Sequence, residues 1–288
     1  MKHHYIPEFY LRHWVGGDGR FERYNRPVPS KIMVRRSYPS ETGWMKDLYI
    51  SPEGTRDPQW LEIDIFQVID SRAAPVLQKL ASDPPRDINA AERSAWTVFL
   101  RSLFHRTPEN LRGTIASTAE IYEETVESSR ERYAELRGPG DPETFDEYKN
   151  SLTILDMRRS ALAIIPDLIV NSRIGQFLNN MHTRIFSLPG CAPDFLLSDD
   201  PIIRTNGLMN DGGHFAIPIS PRNIFVSAWQ EKTLNEIYRM KPTELVRVVN
   251  TSNVEGARHF VVARNHSQDR FIRNRFGKNP RPSILSAS

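Results

Sequence analysis

Between residues 59 and 188 apolar side chains recur at helical spacing, while both flanks carry short alternating runs broken by Gly, Pro and Asp turns. A chain with strand-forming ends and a helical middle has few ways to bury itself. The reading is α+β: a helical middle with a small antiparallel sheet formed by N-terminal and C-terminal strands. In WLEIDIFQVIDSRAAPVLQKLA, Leu61, Ile65, Ile69, Val76 and Leu80 share one face, and Pro75 should kink or divide the helix. Asn89 followed by Glu92 predicts a capping box, and Ala95, Trp96, Phe99, Leu100 and Leu103 then form an aromatic face suited to a central helix. Thr107, Pro108 and Glu109 predict another start, for a polar, peripheral helix over 109–137. The helical pattern resumes from Phe145 to Leu188, with an interruption at Pro166.

On the N-terminal side GRFERYN reads as a short strand ended by Pro27, and the Pro-, Ser- and Gly-rich segment 28–58 as an irregular, ordered loop. On the C-terminal side FLLSDDPIIRTN and HFAIPISPRNIFVSAW read as antiparallel strands. A helix should follow Pro242, and HFVVA is a last strand. The 288 residues make one domain: N-terminal motif and strand 1–58, helical region 59–188, C-terminal α+β region 189–276 and basic tail 277–288. The opening HHYIPEFYLRHW is too apolar and aromatic for a leader or tag, so it should pack, with Ile6, Phe9, Leu11 and Trp14 as anchors.

Several chemistries are excluded by what the sequence does not contain. Cys191 is the single cysteine, which removes a disulfide framework and any multi-thiolate zinc site. There is no GxxxxGK[ST], GxGxxG, GxSxG or HExxH pattern. Neither a run of apolar residues long enough to span a bilayer nor a signal-peptide core is present, so the expected address is cytoplasmic, with no membrane contact. Charge is uneven: residues 1–36 hold 8 basic groups against 3 acidic, residues 256–288 hold 7 against 1, and the middle holds 23 against 31. Basic ends of this kind suit a phosphate backbone, and Arg258, Arg264, Arg270, Arg273 and Arg275 would form the contact stripe.

The opening HHYIPEFYLRHW, then GRFERYN, DLYI, FHRTP, FLLSDDPII, FAIPISP and VNTSNVEGARHFVVA resemble, in that order, the bacterial and fungal family known as domain of unknown function 4238. The resemblance spans nearly the whole chain and implies a single domain without an established activity. Its matched polar positions here are His3, His4, Arg106, Ser198 and Asp199. The family pattern usually has Asn where this chain has Asp200, so a second carboxylate there would be particular to this sequence.

These residues form the candidate catalytic set. One of the adjacent histidines His3 and His4 suits acid–base or ligand work, because neighbours in an extended segment point to opposite sides. Arg106, at the end of an aromatic helix, could hold a phosphate; it could equally bond the last helix carbonyls. Ser198, Asp199 and Asp200 close an apolar strand, where carboxylates suit Mg or Mn; an Asx-turn before Pro201 explains the same residues. Ser220 and Pro221 read as a turn, and Cys191 has no partner at a diagnostic spacing. The function expected is a phosphodiester hydrolase of nuclease type. It would use His3 or His4, Arg106 and Asp199, with His4, Asp199 and Asp200 as ligands for one divalent metal. The alternative is a binding module for nucleic acid or protein that works through the basic ends.

Overall fold

A computed structural model describes residues 1–28, 31–52, 57–152, 154–205 and 207–281. The end of the basic tail, 282–288, lies outside the described residues. The chain starts with β1 (Lys2–His4), α1 (Glu8–Leu11), a 3₁₀ turn at Arg12–Trp14, β2 (Phe21–Val28), β3 (Lys31–Ser37) and β4 (Trp44–Lys46). The helical middle follows. A π-helical segment, Leu61–Phe66, runs into α2 (Gln67–Leu80), and then come α3 (Ala90–Arg106), α4 (Pro108–Ser128), α5 (Tyr133–Leu136), α6 (Phe145–Ser151), α7 (Ile154–Val170) and α8 (Ser172–Asn179). The last part holds β5 (His182–Ser187), β6 (Leu197–Ser198), β7 (Ile203–Arg204), β8 (His214–Pro218), β9 (Asn223–Ala228), α9 (Glu231–Arg239), α10 (Pro242–Gly256), β10 (Phe260–Ala263) and α11 (Asp269–Arg273).

The fold is α+β, and the two ends of the chain do share a sheet. Its order is β3-β2-β10-β6, with β10 antiparallel to both β2 and β6. A second sheet, β5-β9-β8-β7, is built from C-terminal strands alone, and a two-stranded ribbon pairs β1 with β4. Three expectations are corrected. Segment 28–58 is more than a loop, because KIMVRRS pairs with β2 and Trp44–Lys46 with β1. Pro27 does not end β2; the ladder absorbs it in an irregularity between Asn25 and Val28. The helical pattern stops at Asn179, since His182–Ser187 is the edge strand beside β9.

The opening motif is packed as its composition demanded. Ile6, Tyr10, Leu11 and Trp14 are fully buried. Phe9 is only half-buried, and Tyr10 takes the anchoring place assigned to it. α3 is the central helix, with Trp96, Phe99, Leu100 and Leu103 in the main core and neighbours in α2, α4, α7 and α8. Its start is the capping box foreseen: Asn89 Oδ1 accepts from the Glu92 amide at 3.0 Å and Glu92 Oε2 from the Asn89 amide at 2.9 Å. Asn89→Ala should cost about 1 kcal/mol in urea unfolding, the usual worth of such a cap. Pro75 lies inside α2 without dividing it. The stretch Leu155–Asn179 is apolar enough by composition to cross a membrane, with 28% of that window buried; it is interrupted at Asn171, which caps α8.

Candidate functional site

The three residues after Lys2 enter three different surroundings. His3 is fully buried and stacked on Tyr49, with ring centroids 5.3 Å apart. Its Nδ1 accepts the Tyr49 amide at 2.8 Å, and its Nε2 lies 2.5 Å from Gln59 Oε1. Both nitrogens are thus committed to holding the chain, and burial lowers its pKa. Tyr5, two residues on, lies in the field of Asp199, Glu109 and Arg23. His4 faces a niche with a different set of charged groups: Glu8, Lys2, Asp70 and Arg106.

That niche is built by α2 and α3. The π turn at Leu61–Phe66 puts residues five apart on one side, so Leu61 and Phe66 enter the core and Glu62 is buried with them. Arg106, fully buried at the end of α3, donates to both oxygens of Asp70, Nη1 to Oδ2 at 3.0 Å and Nη2 to Oδ1 at 2.7 Å. The guanidinium also lies 4.5 Å from the Phe66 ring centroid. Asp70 and Arg106 act on Glu62 and on His4 alike. Burial pushes the Glu62 carboxyl up to about 7, against the opposing pull of Arg106. Burial lowers His4, against the attraction of Glu8, so its imidazole is neutral at pH 7. Three polar atoms here are buried and lack a hydrogen-bond partner among the described residues: Glu62 Oε2, His4 Nε2 and Arg106 Nε. The nearest carboxylate to His4 Nε2 in an ion pair is Glu8 Oε1, at 3.6 Å, beyond hydrogen-bond reach. The side chains of Glu8 and Asp70 reach the surface, being 32% and 22% exposed.

Of the residues singled out in the sequence, the structure therefore brings His4 and Arg106 together. Arg106 does not face a ligand: it is spent on Asp70, and it positions the niche by fixing that carboxylate and offsetting its charge. Asp199 is committed to the main chain. Its carboxylate is buried and accepts the main-chain amides of Arg258, His259 and Phe260 at 3.1–3.2 Å, tying the end of α10 to β10. Burial nevertheless carries it up to about 6, and its charged neighbour is His259. Ser198 and Asp200 make a turn, with Ser198 Oγ accepting the Asp200 amide at 3.3 Å and donating to the Asp200 carbonyl at 3.0 Å. The Asp200 carboxylate pairs with Arg281 at 3.1 Å. The turn at this stretch is made by the Ser198 hydroxyl and not by the Asx-turn expected before Pro201.

Among the described residues no group of three His, Cys, Asp or Glu side chains converges where an ion could sit. His4, Asp199 and Asp200 consequently do not form the metal set expected of them. Of the five C-terminal arginines, Arg270 is exposed and the other four have partners. Arg264 pairs with Asp194 at 2.9 Å and Arg273 with Asp269 at 2.8 Å. Arg258 donates to the Arg281 carbonyl, and Arg275 lies 3.9 Å from Glu255. Glu62, Asp70 and Glu8 were not legible as site residues. The one available signal was two acids on a helix rich in buried apolar positions.

A family model described as protein of unknown function (DUF4238) matches residues 2–267. No curated protein and no solved structure matches the chain.

Proposed function

The chain belongs to the DUF4238 family of proteins of unknown function, and from the geometry of its own residues we propose that it is a phosphodiester hydrolase of nuclease type in which Glu62 and His4 move the protons. The observation that carries this reading is the pair of orphaned titratable atoms, Glu62 Oε2 and His4 Nε2, sharing Asp70 and Arg106 as charged neighbours. Surroundings that raise a carboxyl and lower an imidazole assign the roles. Neutral His4 takes the proton of the attacking hydroxyl or water, and protonated Glu62 gives one to the leaving oxygen. Arg106 keeps Asp70 in place and balances the carboxylates of the niche.

The substrate class is read from the ribbon that presents His4. Lys2 stands opposite Lys46 and His4 opposite Trp44. Alternation along a strand puts all four side chains on one face of the ribbon. The Lys2 ammonium lies 4.5 Å from the Trp44 ring centroid. Two ammonium groups flanking an aromatic ring suit a single strand, with phosphates on the lysines and a base on Trp44. This arrangement takes the place of the C-terminal arginines as the polyanion contact.

The test is cleavage of end-labelled single- and double-stranded RNA and DNA by the full chain, with and without Mg or Mn. His4→Ala should lose about 10² to 10⁴ in turnover, the usual worth of a general base. The pair Lys2→Ala and Lys46→Ala should raise KM and flatten the salt dependence while leaving kcat near that of the wild type. Failure of the wild type to cut all four substrates overturns the proposal.

A further inference from the structure

A second cavity, away from the His4 niche, has the makings of a ligand site. It lies between α3, α8 and the β7–β8 hairpin, has a volume of about 370 Å³, and its wall is almost wholly Leu, Ile and Phe. The charged or titratable residues in the wall are Arg101, His105 and Arg204, with no acid among them. Their commitments differ. The Arg101 guanidinium is spent on the carbonyls at the α7–α8 junction, Nη1 donating to the Asn171 oxygen at 2.8 Å and Nη2 to that of Leu168. Burial pulls His105 down to about 4, with Arg101 adding to the effect, so it stands in the wall as a neutral ring.

Arg204, on β7 at the mouth, is the uncommitted cation. Its guanidinium lies 5.3 Å from the Phe104 ring centroid, and among the described residues it makes no hydrogen bond or ion pair. The acid that attracts it, Asp200, is held by Arg281 at 3.1 Å. An apolar wall in which Arg101 is held by main-chain carbonyls and the Arg204 guanidinium has no hydrogen-bond acceptor among the described residues suits a ligand with an apolar body and a single anionic end.

We propose that this pocket binds an apolar monocarboxylic acid, with its chain between Phe104, Phe177 and Leu208 and its carboxylate paired with Arg204. A cavity of about 370 Å³ has room for an acid of about eight to ten carbons. The carboxylate end sets this site apart from a general apolar cavity, which would take alcohols and acids alike.

Calorimetric titration of the full chain with decanoate and with 1-decanol tests the assignment. Decanoate should bind at least about tenfold more tightly than decanol. In Arg204→Ala the decanoate Kd should rise about tenfold while the decanol Kd stays put. Arg204 is exposed, so that variant should fold. Leu208→Trp, or Ile174→Trp if the first does not fold, should fill the pocket and abolish both without lowering the melting temperature of the free protein. Equal affinity for acid and alcohol, an unchanged decanoate Kd in Arg204→Ala, or no decanoate binding to the wild type would each overturn the proposal. None of these outcomes depends on the His4 niche, whose activity is assayed separately.

Discussion

Glu62→Gln is expected to lose at least about 100-fold in turnover and, in the same protein, to resist urea better than the wild type at pH 8. The first effect follows from removing the proton that Glu62 would donate. The second follows from linkage. The folded carboxyl titrates near 7, above its unfolded value, so the folded chain binds the proton more tightly. Below about pH 4.5 both states are protonated and the group is neutral to stability. As pH rises toward 7 the unfolded chain ionises first, and stability is lost across that window by at most about 3 kcal/mol. The Glu62 carboxyl accepts the His4 main-chain amide, and Gln keeps the shape and that acceptor while carrying no charge. The two unfolding curves should therefore coincide near pH 4.5 and separate above it, with the variant the more stable. Comparing variant with wild type cancels the titrating groups that lie outside the niche. A variant that cleaves like the wild type would remove Glu62 from the chemistry. A variant no more stable at pH 8 would show that the ionised carboxylate carries no burial cost. A group that costs stability in the folded state and is needed for turnover is what a functional acid should look like.

What could be read in advance divides along the range of the interactions involved. The Asn89–Glu92 box, the Thr107 cap and the aromatic face of α3 were legible because each rests on residues within a turn or two. The pairing of β10 with β2 followed from strands at both ends with little else to cover them. β3 and β4 were missed because KIMVRRS is largely exposed, and it is a strand by virtue of the partner it finds. Glu62 and Asp70 were missed for a related reason. Acids on an amphipathic helix read as solvated, and only the π turn, together with Arg106 arriving from α3, turns them inward. Asp199 shows the reverse error. A carboxylate at a strand end looks catalytic until the amides of Arg258, His259 and Phe260 come back to it from far along the chain.

The same opening segment that presents His4 also locks the core, and Trp14→Ala should show how strongly. Trp14 is fully buried, packs edge-on against Tyr10 at 5.5 Å between centroids, and donates its indole N–H to the Phe195 carbonyl at 3.0 Å. Truncating such a side chain costs about 3–5 kcal/mol in transfer and cavity terms. The orphaned Phe195 carbonyl adds about 1–3 kcal/mol. Against a total stability of about 5–15 kcal/mol for a domain, that leaves a protein near its unfolding threshold. Trp14→Phe should fall between, since it refills most of the volume and still leaves the carbonyl unpaired. Urea titration of the three proteins reads the order directly. Deleting residues 2–14 would remove Trp14 together with Ile6, Leu11 and Tyr10, whose hydroxyl donates to the Pro218 carbonyl at 2.5 Å. No cooperative melt should then survive. A truncated chain that melted at the wild-type temperature would show that the segment is an appendage, and the fixed placement of His4 beside Glu62 in the intact chain would lose its support.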